Sequence, residues 1–211
     1  MRCKVLVEGT SDVPVVEEIL ARRLKLVKGR EFVVIAHRGK GRLPGPGEGV
    51  EEYTLLGALP ATLRGLSQEP GLCVVVLVDS DTEDCRELKQ RLLDMYAGLD
   101  AKPEIVLFRI AVEETESWLI ADPEAVRQAF PQADVDRLRS IAPDAVVGAW
   151  ERLAESLGRD PRIANTKRKK KTWAERIAPH LNLDAPVSPS LEAFISGVSR
   201  CLDQTQEQFP G

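Results

Sequence analysis

The chain has 211 residues, of which 43% are hydrophobic and 29% charged, and its formal net charge is −4. This fits one globular domain, with or without a helical extension, and excludes wholesale disorder and a general polyanion binder. No apolar run approaches the roughly 20 residues needed to span a bilayer. Met1-Arg2-Cys3-Lys4 leads straight into a strand pattern, so no signal peptide is expected either.

The first predicted element is a strand over residues 4–7, which runs into Glu8-Gly9. Val16, Ile19, Leu20 and Leu24 then follow helical spacing, with Asp12 as the expected N-cap and Pro14 in the first turn. A second strand over 31–36 ends in a basic, glycine-rich loop, His37-Arg38-Gly39-Lys40-Gly41-Arg42, followed by a helix over 53–66. The third strand, 72–78, meets Asp79-Ser80-Asp81, and Leu88, Leu92 and Tyr96 mark the next helix. The fourth, 104–111, is followed by Val112-Glu113-Glu114-Thr115-Glu116-Ser117-Trp118.

All four strands are almost continuously apolar, as strands covered on both faces should be. Their alternation with helices implies βαβ units and an α/β fold with a short parallel sheet flanked by helices. The carboxyl ends of the strands then share one edge, where open α/β sheets bind ligands.

Beyond residue 121 the pattern turns helical. Pro131, Pro143 and Pro161 punctuate short helices, and Val146, Trp150, Leu153 and Leu157 form one stripe. A basic run, Lys167-Arg168-Lys169-Lys170-Lys171, precedes an amphipathic segment with Trp173, Ile177 and Leu181. The last helix presents Leu191, Phe194, Ile195, Val198 and Leu202. The expected organisation is an α/β domain over 1–121 with a helical extension over 122–211 packed on it as one compact unit. Cys3, Cys73, Cys85 and Cys201 are scattered without a C-x-x-C pair. Reduced thiols in a cytoplasmic protein are expected, not a zinc ribbon or a disulfide framework.

Candidate chemistry gathers at the strand ends. In extended chain, residues i and i+2 point to one side, so Asp79 and Asp81 are expected to reach a single cation. Glu8 holds the equivalent place on the first strand, Gly9 leaves room for close approach, and Asp12 follows one turn later. Glu114 and Glu116 are candidates for the remaining ligands, with Glu113 and Trp118 assigned to the helix start and to packing. Hard oxygen donors suit Mg²⁺ or Mn²⁺, and only two histidines, His37 and His180, are available for a zinc site. Among the basic residues, Lys170 is the choice for stabilising charge on a phosphate, while Lys40, Arg42, Lys167 and Lys169 are candidate backbone contacts for nucleic acid. The blander reading makes the aspartates turn or cap residues and the lysine run a solvated face.

Spacing removes several enzyme classes. Glu83 stands where the haloacid-dehalogenase motif D-x-D-x-T/V needs a threonine or valine. Neither a P-loop nor a G-x-S-x-G elbow is present.

Val7-Glu8-Gly9 together with Asp79-Ser80-Asp81 resembles the Toprim domain shared by topoisomerases, primases and OLD-family nucleases. The segments His37-Arg38-Gly39-Lys40, Val78 to Cys85, Arg109 to Trp118, Ile177 to Leu181 and Ser188 to Phe194 resemble an uncharacterised bacterial family of Toprim-like proteins, over nearly the whole chain. Members of that family often stand beside ATPases in defence or mobile-element loci. The resemblance implies Glu8 as general base or metal ligand, Asp79 and Asp81 as Mg²⁺ ligands, and Glu114 and Glu116 completing the shell. Gly9 and Asp12 would support them. A metal-dependent nuclease working with a separately encoded ATPase is therefore expected. The alternatives are a non-catalytic metal- or nucleotide-binding module that docks a partner, and phosphatase or nucleotidyl-transfer chemistry on a small substrate. Topoisomerase chemistry needs a tyrosine nucleophile, and Tyr53 and Tyr96 both fall in helical patterns.

Overall fold

The computed structural model describes residues 1–45, 48–145, 147–164 and 167–209, leaving aside the side chains of Ile163, Ala164 and Lys167. Four strands, β1 (Cys3–Val7), β2 (Phe32–Ala36), β3 (Cys73–Asp79) and β4 (Ile105–Ala111), form one sheet in the order β2-β1-β3-β4. All neighbours are parallel, with Val7 opposite Ala36 and Asp79 opposite Ala111. The helices between them are α1 (Asp12–Glu18), α2 (Leu55–Leu66) and α3 (Cys85–Ala97). The expected α/β architecture is what the chain adopts.

Side-chain alternation splits the core in two. Leu6, Val74, Val76 and Val78 face α2 and α3, through Leu59, Leu63, Leu88 and Leu92. Cys3, Val5, Val7, Cys73, Val75 and Leu77 face α1 and the carboxyl-terminal helices. Those are α4 (Glu116–Ile120), α5 (Pro123–Ala129), α6 (Asp136–Arg139), α7 (Ala149–Ser156), α8 (Pro161–Ala164), α9 (Lys167–Ile177) and α10 (Pro189–Gln208). Helix α10 starts at Ser188, whose hydroxyl caps Leu191 N–H, and buries Leu191, Phe194, Ile195, Val198 and Leu202. At about 1.5–3 kcal/mol per large side chain, this face is a major part of what holds α10 on the sheet. Among the described residues, no helix is long and apolar enough to cross a membrane.

Several local expectations need correction. Cys73 and Cys201 form a disulfide, with Cα atoms 6.0 Å apart, because α10 crosses the start of β3; Cys3 and Cys85 are free. Asp12 lies inside α1, and Ser11 takes the N-cap position. Helix α2 begins after Thr54, whose hydroxyl accepts from Gly57 N–H, so Tyr53 stands outside it and is 66% exposed. The basic run does not precede a helix but forms the first turns of α9. Of the predicted apolar stripe, Trp150 and Leu153 are buried and Leu157 half-buried, while Val146 lies outside the described residues.

Candidate functional site

Parallel pairing in the order β1-β3-β4 sets Glu8, Asp79 and the segment after Ala111 side by side. Glu8 Oε1 accepts a hydrogen bond of 2.8 Å from Asp79 N–H, which ties the two strand ends together. Gly9 N–H donates to Asp12 Oδ2 at 2.8 Å, closing the turn that leads into α1. A Cβ on Gly9 would meet nothing closer than 3.6 Å, so packing does not demand a glycine there; the residue lines the cavity described below.

Asp12 is 4% exposed, and its Oδ1 accepts from the Thr115 hydroxyl at 2.7 Å, joining α1 to the start of α4. Thr115 was not singled out from the sequence, because only the fold brings it to a residue 103 positions away. Burial raises the Asp12 pKa despite the hydrogen bonds from Thr115 and Gly9.

Asp79 is the last residue of β3, and its carboxylate accepts no hydrogen bond from any described residue. Burial first, and then the charges of Asp12, Glu8, Glu116 and Glu114, hold it well above the usual carboxylate range. Asp81 departs from the expected geometry. Its φ of +49° breaks the extended chain, so the i, i+2 rule does not carry it to the side of Asp79. It turns outward, 53% exposed, and pairs with Lys40 Nζ at 3.0 Å, although it still lines the cavity.

The segment after β4 divides its acids between structure and site. Glu113, at φ +63°, donates its backbone N–H to Ser80 Oγ at 2.7 Å. Its carboxylate accepts from Gly148 and Ala149 N–H at the start of α7, so it caps that distant helix and not the one that follows it in sequence. Glu114 Oε2 accepts from Trp150 N–H at 3.3 Å, and its Oε1 meets Lys170 Nζ at 3.0 Å. Glu116 is 5% exposed, with Oε1 3.5 Å from the same ammonium. Burial, opposed by Lys170 but reinforced by Glu114 and Asp12, pushes its pKa up to about 7. For Glu8, burial outweighs the bond from Asp79 N–H, and with the charges of Asp12 and Asp81 raises it to about 8.

Lys170 shares a helical face with the buried Trp173, Ala174 and Ile177, at i+3, i+4 and i+7, and so points inward from the basic run. Burial disfavours its charge, but Glu116 and Glu114 more than compensate, and its pKa is raised. The ammonium also lies 5.1 Å above the Trp150 ring, which stacks on Trp173 at a centroid distance of 4.4 Å. Of the other predicted basic contacts, Lys40 pairs with Asp81 and Glu83 and Arg42 with Glu48. The Lys169 side chain is exposed, and that of Lys167 lies outside those described.

Glu8, Asp12, Asp79, Asp81, Glu114 and Glu116 thus line one cavity of about 240 Å³, where Lys170 is the one ammonium among the described lining residues. The all-oxygen donor set and the deficit of positive charge fit a hard divalent cation. Among the described residues, however, no three His, Cys, Asp or Glu side chains are gathered closely enough to hold one as they stand.

A family model described as Domain of unknown function (DUF4276) matches residues 7–199. The C-terminal region of the Xanthomonas campestris pv. campestris OLD protein, phased with iodine, aligns with a TM-score of 0.55 at 16% identity, over 98% of this chain and 98% of that chain. The C-terminal region of the Burkholderia pseudomallei OLD protein gives a TM-score of 0.55 at 17% identity, over 97% and 98%. At such identities the likeness is one of fold. Comparison with curated proteins finds no match.

Proposed function

The chain belongs to the DUF4276 family, and on that premise we propose that it is a Toprim-type, metal-dependent nuclease that hydrolyses phosphodiester bonds of nucleic acid. The observation that carries this reading is the cavity at the strand ends. Six carboxylates from the ends of three neighbouring strands and the segments that follow them line it, and that of Asp79 accepts no hydrogen bond from any described residue. Such crowding is costly without a cation and useful with one. The likeness of fold to the OLD C-terminal region supports the same class of chemistry.

Glu8, Asp79, Asp81, Glu114 and Glu116 would hold Mg²⁺ or Mn²⁺, with Asp12 and Gly9 fixing the turn behind them. A bound divalent ion supplies Lewis-acid activation of water and of the phosphoryl oxygens. In hydrolysis, a water oxygen bonds to phosphorus, the P–O bond to the leaving strand breaks, and that oxygen ends protonated. Glu8, with one carboxylate oxygen tied to Asp79 N–H, would take the proton of the water. Lys170 is the cation available to the charge growing on the phosphate. Lys40, Arg42, Lys167 and Lys169 would follow the nucleic-acid backbone, for which Lys40 and Arg42 must exchange their present carboxylate partners. A separately encoded ATPase partner and a defence role belong to the same proposal.

The test is cleavage of plasmid and single-stranded oligonucleotides by the purified chain with Mg²⁺ or Mn²⁺, lost in Asp79→Ala. Full cleavage by the Asp79→Ala, Asp81→Ala double variant would sink it. One observation favours a second reading, a non-catalytic binding module: Lys170 and Lys40 already neutralise part of the cluster. Partner or nucleotide binding that survives Asp79→Ala, without turnover under any metal, would select that reading.

A further inference from the structure

Lys170 stands where an entering cation would have to go. Its Nζ contacts Glu114 Oε1 at 3.0 Å and lies 3.5 Å from Glu116 Oε1, so it binds two of the five carboxylates assigned to the metal. A divalent ion bonded to those oxygens would sit about 2.0–2.1 Å from them. A doubly charged ion and an ammonium cannot share the same oxygen lone pairs at such separations without strong mutual repulsion. Glu114 is held on both oxygens, its Oε2 accepting from Trp150 N–H at 3.3 Å. Glu116 is buried and cannot turn to solvent for relief. The lysine is the component that can move, because it ends a flexible four-carbon stem and its side chain retains 18% exposure.

From this arrangement we infer that Lys170 and a divalent ion compete for Glu114 and Glu116. Ion entry and release of the ammonium from Glu114 and Glu116 are one coupled event. This inference rests on the reading of the cavity as a metal centre and goes beyond it. It makes the catalytic lysine unavailable until the ion arrives, and then frees it toward the phosphate. It also accounts for the lack of convergence among the carboxylates, since two of them are organised around nitrogen and not around a metal. The Trp150 ring beneath the ammonium gives the event an optical reporter.

The experiment is calorimetric titration of the full chain with Mn²⁺ alone and, in parallel, tryptophan emission during titration with Mg²⁺ alone. Competition predicts that Lys170→Met binds Mn²⁺ at least about tenfold more tightly than the unmodified chain, in the range of ordinary coupling between sites. Mg²⁺ should shift the emission of the unmodified chain, and Lys170→Met should show little shift. Should Lys170→Met misfold, the emission response of the unmodified chain still decides: saturable ion binding that leaves it unchanged means that the ammonium stayed on Trp150. Equal or weaker Mn²⁺ affinity in a folded Lys170→Met overturns the inference while metal-dependent cleavage, if seen, leaves the nuclease reading standing. Absence of ion binding in both proteins overturns both.

Discussion

Glu116→Gln tests the electrostatics of the cavity without disturbing its shape. The carboxyl group is 5% exposed and titrates near 7, against an ordinary value of 4.5. Below about pH 4.5 folded and unfolded chains both carry the proton, and nothing is lost. Between there and pH 7 the unfolded chain gives up its proton while the folded one keeps it, so stability falls as pH rises. Above pH 7 the full cost is present. A shift of 2.5 units, the difference of those values, corresponds to about 3 kcal/mol. Glutamine is neutral throughout and removes this slope, while Lys170 keeps its contact with Glu114 at 3.0 Å. Urea denaturation in EDTA at pH 5 and pH 8 should therefore show the variant gaining about 2.5 kcal/mol over the unmodified chain between the two, since part of the cost is already present at pH 5. Any constant offset from the lost Lys170 contact cancels in that comparison. Parallel pH profiles for the two proteins would refute the assignment of a strained, buried charge at Glu116.

Two further outcomes follow from the packing of α10. With the Cys73–Cys201 disulfide closed, only Cys3 and Cys85 should react with a thiol reagent in denaturant without reductant. Reduction opens a loop with a sequence separation of 128 residues and should cost roughly 2–5 kcal/mol in thermal or chemical denaturation; four reactive thiols before reduction would contradict the bond. Gly197→Ala drives a Cβ into the Arg109 guanidinium, which donates through Nε to Ala193 O at 3.0 Å. A net loss of no more than about 1 kcal/mol is expected, because the guanidinium can swing aside at the loss of its bonds to Ala193 O and Phe108 O while alanine favours the helix; a loss well above that would mean that Arg109 is locked in place.

The strands were legible because a parallel sheet covered on both faces uses near-continuous apolar runs, and Val74 to Val78 is such a run. The inward turn of Lys170 was not legible in the same way, because the basic run reads as a segment before the helix, whereas it forms the first turns of α9 with Trp173, Ala174 and Ile177 on the same face. Other features were hidden because they depend on backbone twists or distant partners. The left-handed φ of Asp81 undoes an i, i+2 rule that holds only in extended chain. Glu113 became a cap for α7 once Gly148 and Ala149 arrived from 35 and 36 residues away. Cysteines at a separation of 128 carry no local sign of pairing.

By itself the sequence determined that acids end the strands and that those ends share one edge, because strand–helix alternation in a parallel sheet is local chemistry repeated along the chain. Only the tertiary structure decided which acids crowd together, and that Asp79 has no donor among the described residues while Glu114 and Glu116 receive Lys170. The physical reason is separation along the chain. Lys170 lies 56 residues from Glu114, and their attraction exists only where α9 packs its buried face beside α4 and α7.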